Sequence, residues 1–157
     1  IYVVLPLALL GVWGYKSDYQ LFMNTEYLLM ALFVFVWTND TGAYIVGCTL
    51  GKHRLFERIS PKKSWEGFFG GLAFCIILAS LANYIIPGML STAQWIGMGI
   101  LISIFSTWGD LCESLLKRTA GVKDSGKILP GHGGILDRFD SELIASPVIF
   151  IYLTFVL

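Results

Sequence analysis

Charged side chains are scarce in this chain: Asp, Glu, Lys and Arg make up 14% of its 157 residues, and they balance to a formal net charge of zero. Soluble domains carry about 25% charged residues. Without an excess of positive charge the chain has no general attraction for nucleic acid, so we expect no nucleic-acid partner.

Cysteine and histidine are also rare, at three and two residues. Cys48, Cys75 and Cys112 lie far apart in apolar runs. We therefore expect reduced cysteines that serve packing, and neither a disulfide framework nor a zinc site. His53 has no obvious partner in the sequence and is interpreted as a solvated loop residue.

Apolar residues, in contrast, make up 55% of the chain and fall in long runs. A run of about 20 apolar residues can cross a hydrocarbon core of about 30 Å. We predict an all-α, polytopic membrane bundle with about five transmembrane segments, at 1–14, 27–50, 67–86, 94–116 and 143–157. Tyr27, Trp65, Tyr84 and Trp95 lie near segment ends and are interpreted as interfacial anchors. Since no Met opens the chain and both ends fall in apolar runs, we expect one membrane-embedded domain, 1–157, from a longer polytopic protein.

The basic residues predict an orientation. Ten of the 11 Lys and Arg residues lie in two connections, 51–66 and 117–138. Basic connections stay in the cytoplasm, so both are predicted to be cytoplasmic, with 16–26 and 87–93 on the opposite side.

Two acids lie within predicted segments. Asp40 lies about 20 Å and Asp110 about 26 Å along their helices from the outer side, at about 1.5 Å per residue, which places both toward the cytoplasmic side. An unpaired carboxylate in an apolar medium is unfavourable, so both need partners. For Asp40 a purely structural role is equally open, because Asn39 and Thr41 could satisfy it.

Asp137, Asp140 and Ser141 have the i, i+3, i+4 spacing of one helix face, in the first turn of the last helix. Carboxylate oxygens suit Mg²⁺, which typically takes one or two carboxylates and completes its shell with water and phosphate. We therefore predict Asp110 and Asp137 as Mg²⁺ ligands. Glu113 is instead predicted to pair with Lys117, four residues on.

The stretch 123–141, KDSGKILPGHGGILDRFDS, is rich in glycines and bases. Such residues favour a phosphate-bearing ligand, because flexible backbone N–H groups and cationic side chains both bind oxyanions. His132 is interpreted as a hydrogen-bond donor, since an ionised phosphate nucleophile needs no general base. Substrate contacts are predicted at residues in or next to the two cytoplasmic connections: Lys62, Lys63, Ser64, Glu66, Asp124, His132, Gly133, Arg138 and Asp140.

Four sequence blocks carry a family resemblance: WTNDTGAY, GKHRLFERISPKKSWEG, GDLCESLLKR and SLLKRTAGVKDSGKILPGHGGILDRFDS. In this order over 36–141 they resemble the phosphatidate cytidylyltransferases, or CDP-diacylglycerol synthases. The resemblance implies a homodimeric inner-membrane enzyme whose site faces the cytoplasm and whose N-terminal segments precede this catalytic domain. It also implies that CTP and phosphatidic acid give CDP-diacylglycerol and pyrophosphate, with Mg²⁺, and K⁺ as a second cation. The implied catalytic residues are Asp110, Asp137, Lys123 and Arg118.

Two other functions stay open. A cation-coupled transporter would use Asp40 and Asp110 as an ion pathway. A CTP-dependent enzyme with a different lipid acceptor would share most of these features, because acyl or prenyl chains are bound by generic apolar surface.

Overall fold

The computed structural model describes the backbone of residues 19–122 and 136–156, with positions 6, 8 and 9, and the side chains of 27–122 and 139–156. The elements in chain order are α1 (Tyr19–Leu50), β1 (Arg54–Phe56), β2 (Ser60–Ser64), α2 (Trp65–Ile85), α3 (Thr92–Thr119) and α4 (Leu136–Val156).

Four helices of the described chain are long and apolar enough to cross a membrane, over Tyr27–Leu50, Trp65–Ile85, Thr92–Thr119 and Phe139–Val156. They confirm the all-α polytopic bundle and the last four predicted segments. The predicted segment at 1–14 falls outside the described residues except for positions 6, 8 and 9.

Capping residues delimit two of the helices. Ser64 caps α2 by accepting a hydrogen bond from the Gly67 N–H at 3.1 Å. Ser91 and Gln94 form a reciprocal capping box at the start of α3. After α3 the chain turns at Gly121, whose φ of 69° is readily adopted only by glycine.

Glycines allow the helices to approach closely. A Cβ on Gly71 of α2 would lie 2.5 Å from Asn39 Oδ1 of α1, and one on Gly109 of α3 would lie 2.6 Å from the Asp140 carbonyl oxygen of α4. Small residues of this kind let membrane helices pack backbone to backbone. The second contact brings the first turns of α4 beside Asp110.

The buried core changes character along the bundle. Phe35 stacks on Trp95 with ring centroids 6.2 Å apart, and both are fully buried with Leu32 and Met98. The prediction of Trp95 as an interfacial anchor is therefore wrong: its indole fills the core because α1 packs over the start of α3. Farther along the helices the buried side chains are polar, including Asn39, Ser103, Ser106 and Thr107.

The 51–66 connection contains an antiparallel two-stranded hairpin, in which Arg54 pairs with Ser64 and Phe56 with Ser60. These strands were not predicted from the sequence. The hairpin leads directly into α2 and places Lys62 and Lys63 at the polar end of the bundle.

Candidate active site

A cavity of about 320 Å³ lies at the polar end, between α1, the hairpin, α2 and α3. Its polar lining comprises Asn39, Asp40, Tyr44, Ser60, Lys62, Lys63, Ser64, Thr107 and Asp110. Its remaining lining consists of Ala43, Gly47, Leu55, Gly67 and Phe68. The cavity therefore joins acids and bases that are far apart in sequence.

An ion pair connects the hairpin to α3. The Lys63 Nζ lies 2.5 Å from Asp110 Oδ2, and the two side chains are 25% and 34% exposed. The same ammonium donates a hydrogen bond to the Thr107 carbonyl oxygen at 3.4 Å. Asp110 Oδ1 accepts a hydrogen bond from the Ser114 hydroxyl at 3.3 Å. The carboxylate is thus held from two sides while it faces the cavity.

Three carboxylates share this region. Asp40 interacts electrostatically with Lys63, Asp110 and Asp140, although the three acids come from α1, α3 and α4. Asp140 Oδ1 accepts the Ser141 N–H at 2.6 Å. Asp40 therefore lines the site, in addition to any structural role. The concentration of negative charge favours a cation or cationic side chain between the helices.

Buried hydrogen bonds support the cavity wall behind these acids. Asn39 of α1 donates through Nδ2 to the Ser106 hydroxyl at 3.0 Å and accepts from the Ser103 hydroxyl at 2.7 Å. All three side chains are buried. Because Asn39 precedes Asp40 and Ser106 lies one turn before Asp110, these bonds hold α1 and α3 in register beside the two acids.

Glu66 lies outside the cavity lining. It accepts hydrogen bonds from the backbone N–H of His53, and its Oε1 lies 2.7 Å from His53 Nδ1. His53 is 79% exposed, so it is solvated as predicted, yet it has the acidic partner that the sequence analysis did not find. Ser64 lines the cavity and also caps α2. These contacts tie the hairpin to the helix that follows it.

The other predicted residues have three kinds of placement. Arg118 lies exposed in the last turn of α3, away from the cavity lining. Asp137 and Arg138 lie in the first turn of α4, with side chains outside the described set. Lys123, Asp124, His132 and Gly133 lie outside the described residues. Glu113 pairs with Lys117 at 3.3 Å, as predicted.

The described donor set is compatible with Mg²⁺. No three Asp, Glu, His or Cys side chains of the described chain converge on one metal position. Mg²⁺ does not need three, since one or two carboxylates with water and phosphate oxygens complete its shell. Asp110 offers a partly exposed carboxylate, and the close approach at Gly109 brings the helix turn that contains Asp137 and Asp140 to the same side.

Several residues of the site and of the wall behind it were not predicted from the sequence. Ser103, Ser106 and Thr107 have the same i, i+3, i+4 spacing that selected the acids of α4, but hydroxyls are common in membrane helices and this signal is weak. Tyr44 of α1, Leu55 of β1 and Phe68 of α2 also line the cavity, and no sequence pattern links these three distant residues.

Fold and site together define a multi-pass helical membrane protein with a charged cavity at one end of its bundle. The family model described as the cytidylyltransferase family matches residues 2–156. Phosphatidate cytidylyltransferase of Staphylococcus aureus (strain COL) is 42% identical over 153 residues, which cover 97% of this chain and 58% of that protein. The enzyme of the same name from Staphylococcus haemolyticus (strain JCSC1435) is 42% identical over 152 residues, with the same coverage. The chain belongs to the cytidylyltransferase family. It spans 58% of the length of these curated relatives.

Proposed function

We propose that this chain forms the catalytic part of a membrane nucleotidyltransferase that joins CTP to phosphatidic acid, giving CDP-diacylglycerol and pyrophosphate. The observation that carries the proposal is the cavity at one end of a membrane-spanning bundle, which is lined by Lys62 and Lys63 together with Asp40 and Asp110. Bases there suit phosphate groups, and acids suit the cation that accompanies them. Family membership and the name of the relatives, phosphatidate cytidylyltransferase, support the same reaction.

In the proposed reaction a phosphate oxygen of phosphatidic acid attacks the α-phosphorus of CTP in line. The new P–O bond forms as the bond to the β-phosphate oxygen breaks, and pyrophosphate leaves. The lipid phosphate supplies its own charged oxygen, so no protein nucleophile or obligatory base is required. Catalysis then rests on positioning and on charge stabilisation.

The side chains have distinct roles in this proposal. Asp110 and Asp137 would hold Mg²⁺, which when bound neutralises phosphate charge. Lys62, Lys63, Lys123 and Arg118 bind phosphate oxygens, and those near the pyrophosphate stabilise it as it leaves. K⁺ is proposed as a second cation.

An aromatic cluster beside the cavity supports lateral entry of the lipid. Phe68 lines the cavity, and Trp65 and Phe69 lie next to it with ring centroids 6.1 and 5.4 Å from Phe68. Trp65 is 47% and Phe69 is 58% exposed. Aromatic rings of this kind favour the membrane interface. The acyl chains can therefore stay in the bilayer while the headgroup enters the cavity.

The remaining proposals concern assembly and placement. We infer a homodimer in the inner membrane, with the cavity open to the cytoplasm, where CTP is found. Cysteine at Arg54 or Ser125, introduced after Cys48, Cys75 and Cys112 are replaced, should resist an impermeant thiol reagent in intact cells and react once the membrane is opened. Labelling in intact cells would contradict this orientation.

The activity is tested with purified full-length protein, radiolabelled CTP, Mg²⁺ and a panel of lipid phosphates. Phosphatidic acid should give labelled CDP-diacylglycerol, whereas Asp110→Asn should not. If product formed only with a polyprenyl or ether-lipid phosphate, the protein would still be a CTP-dependent transferase, but its lipid acceptor would not be phosphatidic acid. Ion flux into proteoliposomes without any CTP turnover would establish the transporter instead.

A further inference from the structure

Lys63 and Lys62 are neighbours on β2 with different surroundings. The Lys63 ammonium is half-buried against α3, where it contacts Asp110 Oδ2 and the Thr107 carbonyl oxygen. Lys62 lines the same cavity, but it is exposed. The structure therefore distinguishes two bases that the sequence makes look alike.

Lys63 uses the same carboxylate that a metal would need. At 2.5 Å its Nζ is in direct contact with Asp110 Oδ2, while Oδ1 accepts the Ser114 hydroxyl. An ammonium and a divalent cation on one carboxylate would repel each other strongly at such short range. Binding of the two cations to Asp110 is thus competitive.

Displaced from Asp110, the ammonium would still lie in the cavity wall. Its hydrogen bond to Thr107 is long, at 3.4 Å, and its stem is anchored on a strand whose neighbouring residues also line the cavity. A lysine carries its charge on a flexible stem with three donors, so a phosphate oxygen can replace a carboxylate oxygen as its partner.

We propose that Lys63 is an exchangeable counter-ion: it neutralises Asp110 until a divalent cation takes the carboxylate, and it then binds a phosphate oxygen of the nucleotide. The proposal rests on the proposed function for its metal and nucleotide. It adds that the metal binds before the nucleotide, because the metal displaces Lys63 from Asp110 and so frees the ammonium to bind a phosphate oxygen. Metal and CTP should consequently bind with positive coupling through this residue.

The test measures Mn²⁺, a spectroscopic substitute for Mg²⁺, by electron paramagnetic resonance on full-length protein in non-ionic detergent without nucleotide. Lys63→Met should tighten Mn²⁺ binding by about fivefold or more, the lower range of typical coupling between sites. Lys62→Met removes the same charge one residue away and should change the affinity by less than about twofold. Lys63→Arg, which can still pair with Asp110, should bind Mn²⁺ as the wild type does.

With Mn²⁺ saturating and lipid omitted, Lys63→Met should weaken CTP binding by about fivefold or more. Unchanged or weaker Mn²⁺ binding in Lys63→Met would overturn the counter-ion role, and unchanged CTP binding would overturn the transfer to phosphate. Asp110→Asn should lose the Mn²⁺ site; retention there would also overturn the inference. Turnover of CTP with phosphatidic acid by the wild type is measured separately, so a failure of the proposed activity is distinguishable from a failure at Lys63.

Discussion

The two ends of the bundle share α1 and α3 but are filled in opposite ways. At one end Phe35 and Trp95 stack within a buried apolar cluster that also contains Leu32, Met98 and Ile149. About one turn after Phe35 on α1, Asn39 contacts α3 through hydrogen bonds to Ser103 and Ser106. At the first end the cavity of about 250 Å³ beside Phe35 and Trp95 is lined by apolar side chains, whereas at the second end hydrogen bonds border a charged cavity.

The two ends of the bundle therefore have different roles: the apolar end stabilises the fold, and the polar end provides the residues of the proposed reaction. Large rings bury surface and stabilise the fold, and the cavity beside them has an apolar lining that offers no charged group to a phosphate or a cation. Polar groups hold the helices in one register and leave carboxylates free to face the cavity. Changes at the apolar end should therefore affect unfolding, and changes at the polar end should affect turnover.

The largest effect is expected at the proposed metal ligands. Asp110→Asn and Asp137→Asn should each abolish turnover, because an amide keeps the shape but loses the charge that holds Mg²⁺. Retention of more than about a tenth of wild-type kcat, a loss below about 1.4 kcal/mol, would contradict the role of that residue. Glu57→Gln is the control, since Glu57 is an exposed acid in the hairpin turn. Thermal unfolding should be nearly unchanged in all three.

Trp95→Ala tests the apolar end. Trp95 is fully buried against Phe35, and its Nε1 has no hydrogen-bond partner in the described part of the chain, so its contribution is packing. Removing a buried aromatic ring typically costs about 3 to 5 kcal/mol. Thermal unfolding in detergent should show a large loss of stability, with a much smaller loss in Trp95→Phe. If the KM for CTP rose in Trp95→Phe while the stability of that variant did not change, the apolar end would contribute to substrate binding, which would contradict its purely structural role.

Asn39→Ala tests the boundary between the ends. It removes both hydrogen bonds to Ser103 and Ser106, and such bonds between membrane helices are worth about 0.6 to 2 kcal/mol. For the two bonds together we expect a loss of stability of about 1 to 4 kcal/mol and a fall in kcat, because the register of Asp40 against Asp110 loosens. Ser103→Ala removes one of the two bonds and should have a smaller effect on both quantities. An effect on stability alone would show that Asn39 does not position the site.

Sequence predicts the membrane helices well because their signal is local. The predicted spans at 67–86 and 94–116 agree within a few residues with α2 (Trp65–Ile85) and α3 (Thr92–Thr119), and the predicted span at 27–50 lies within the longer helix α1 (Tyr19–Leu50). The last helix begins earlier than its apolar run, at Leu136 rather than 143. Its first turns contain acids, which lower apolarity without preventing a helix.

The site is only partly readable from sequence because it depends on the hairpin. The intramembrane position of Asp110 and the basic character of Lys62 and Lys63 are visible as local patterns. The pairing of Lys63 with Asp110 and of Glu66 with His53 depends on the strand register, for which short strands containing Pro61 give little signal. Trp95 shows the same limit, since proximity to a helix end did not reveal that α1 covers it.

The smallest effects are expected among the exposed bases of the polar end, where position relative to the cavity should decide the outcome. Lys62→Met should raise the KM for CTP or for lipid by about three- to tenfold, a change of up to about 1.4 kcal/mol, because Lys62 lines the cavity. Arg118 is proposed to bind phosphate but lies outside the cavity lining, so Arg118→Met should raise the KM in the same direction and by less than Lys62→Met. Arg54→Met is the matched control: Arg54 is exposed on β1 outside the cavity lining, so its KM should stay within about twofold of wild type. Steady-state kinetics with each substrate varied in turn distinguishes these variants. Equal small effects at Lys62, Arg118 and Arg54 would mean that these charges orient the protein in the membrane and do not bind phosphate.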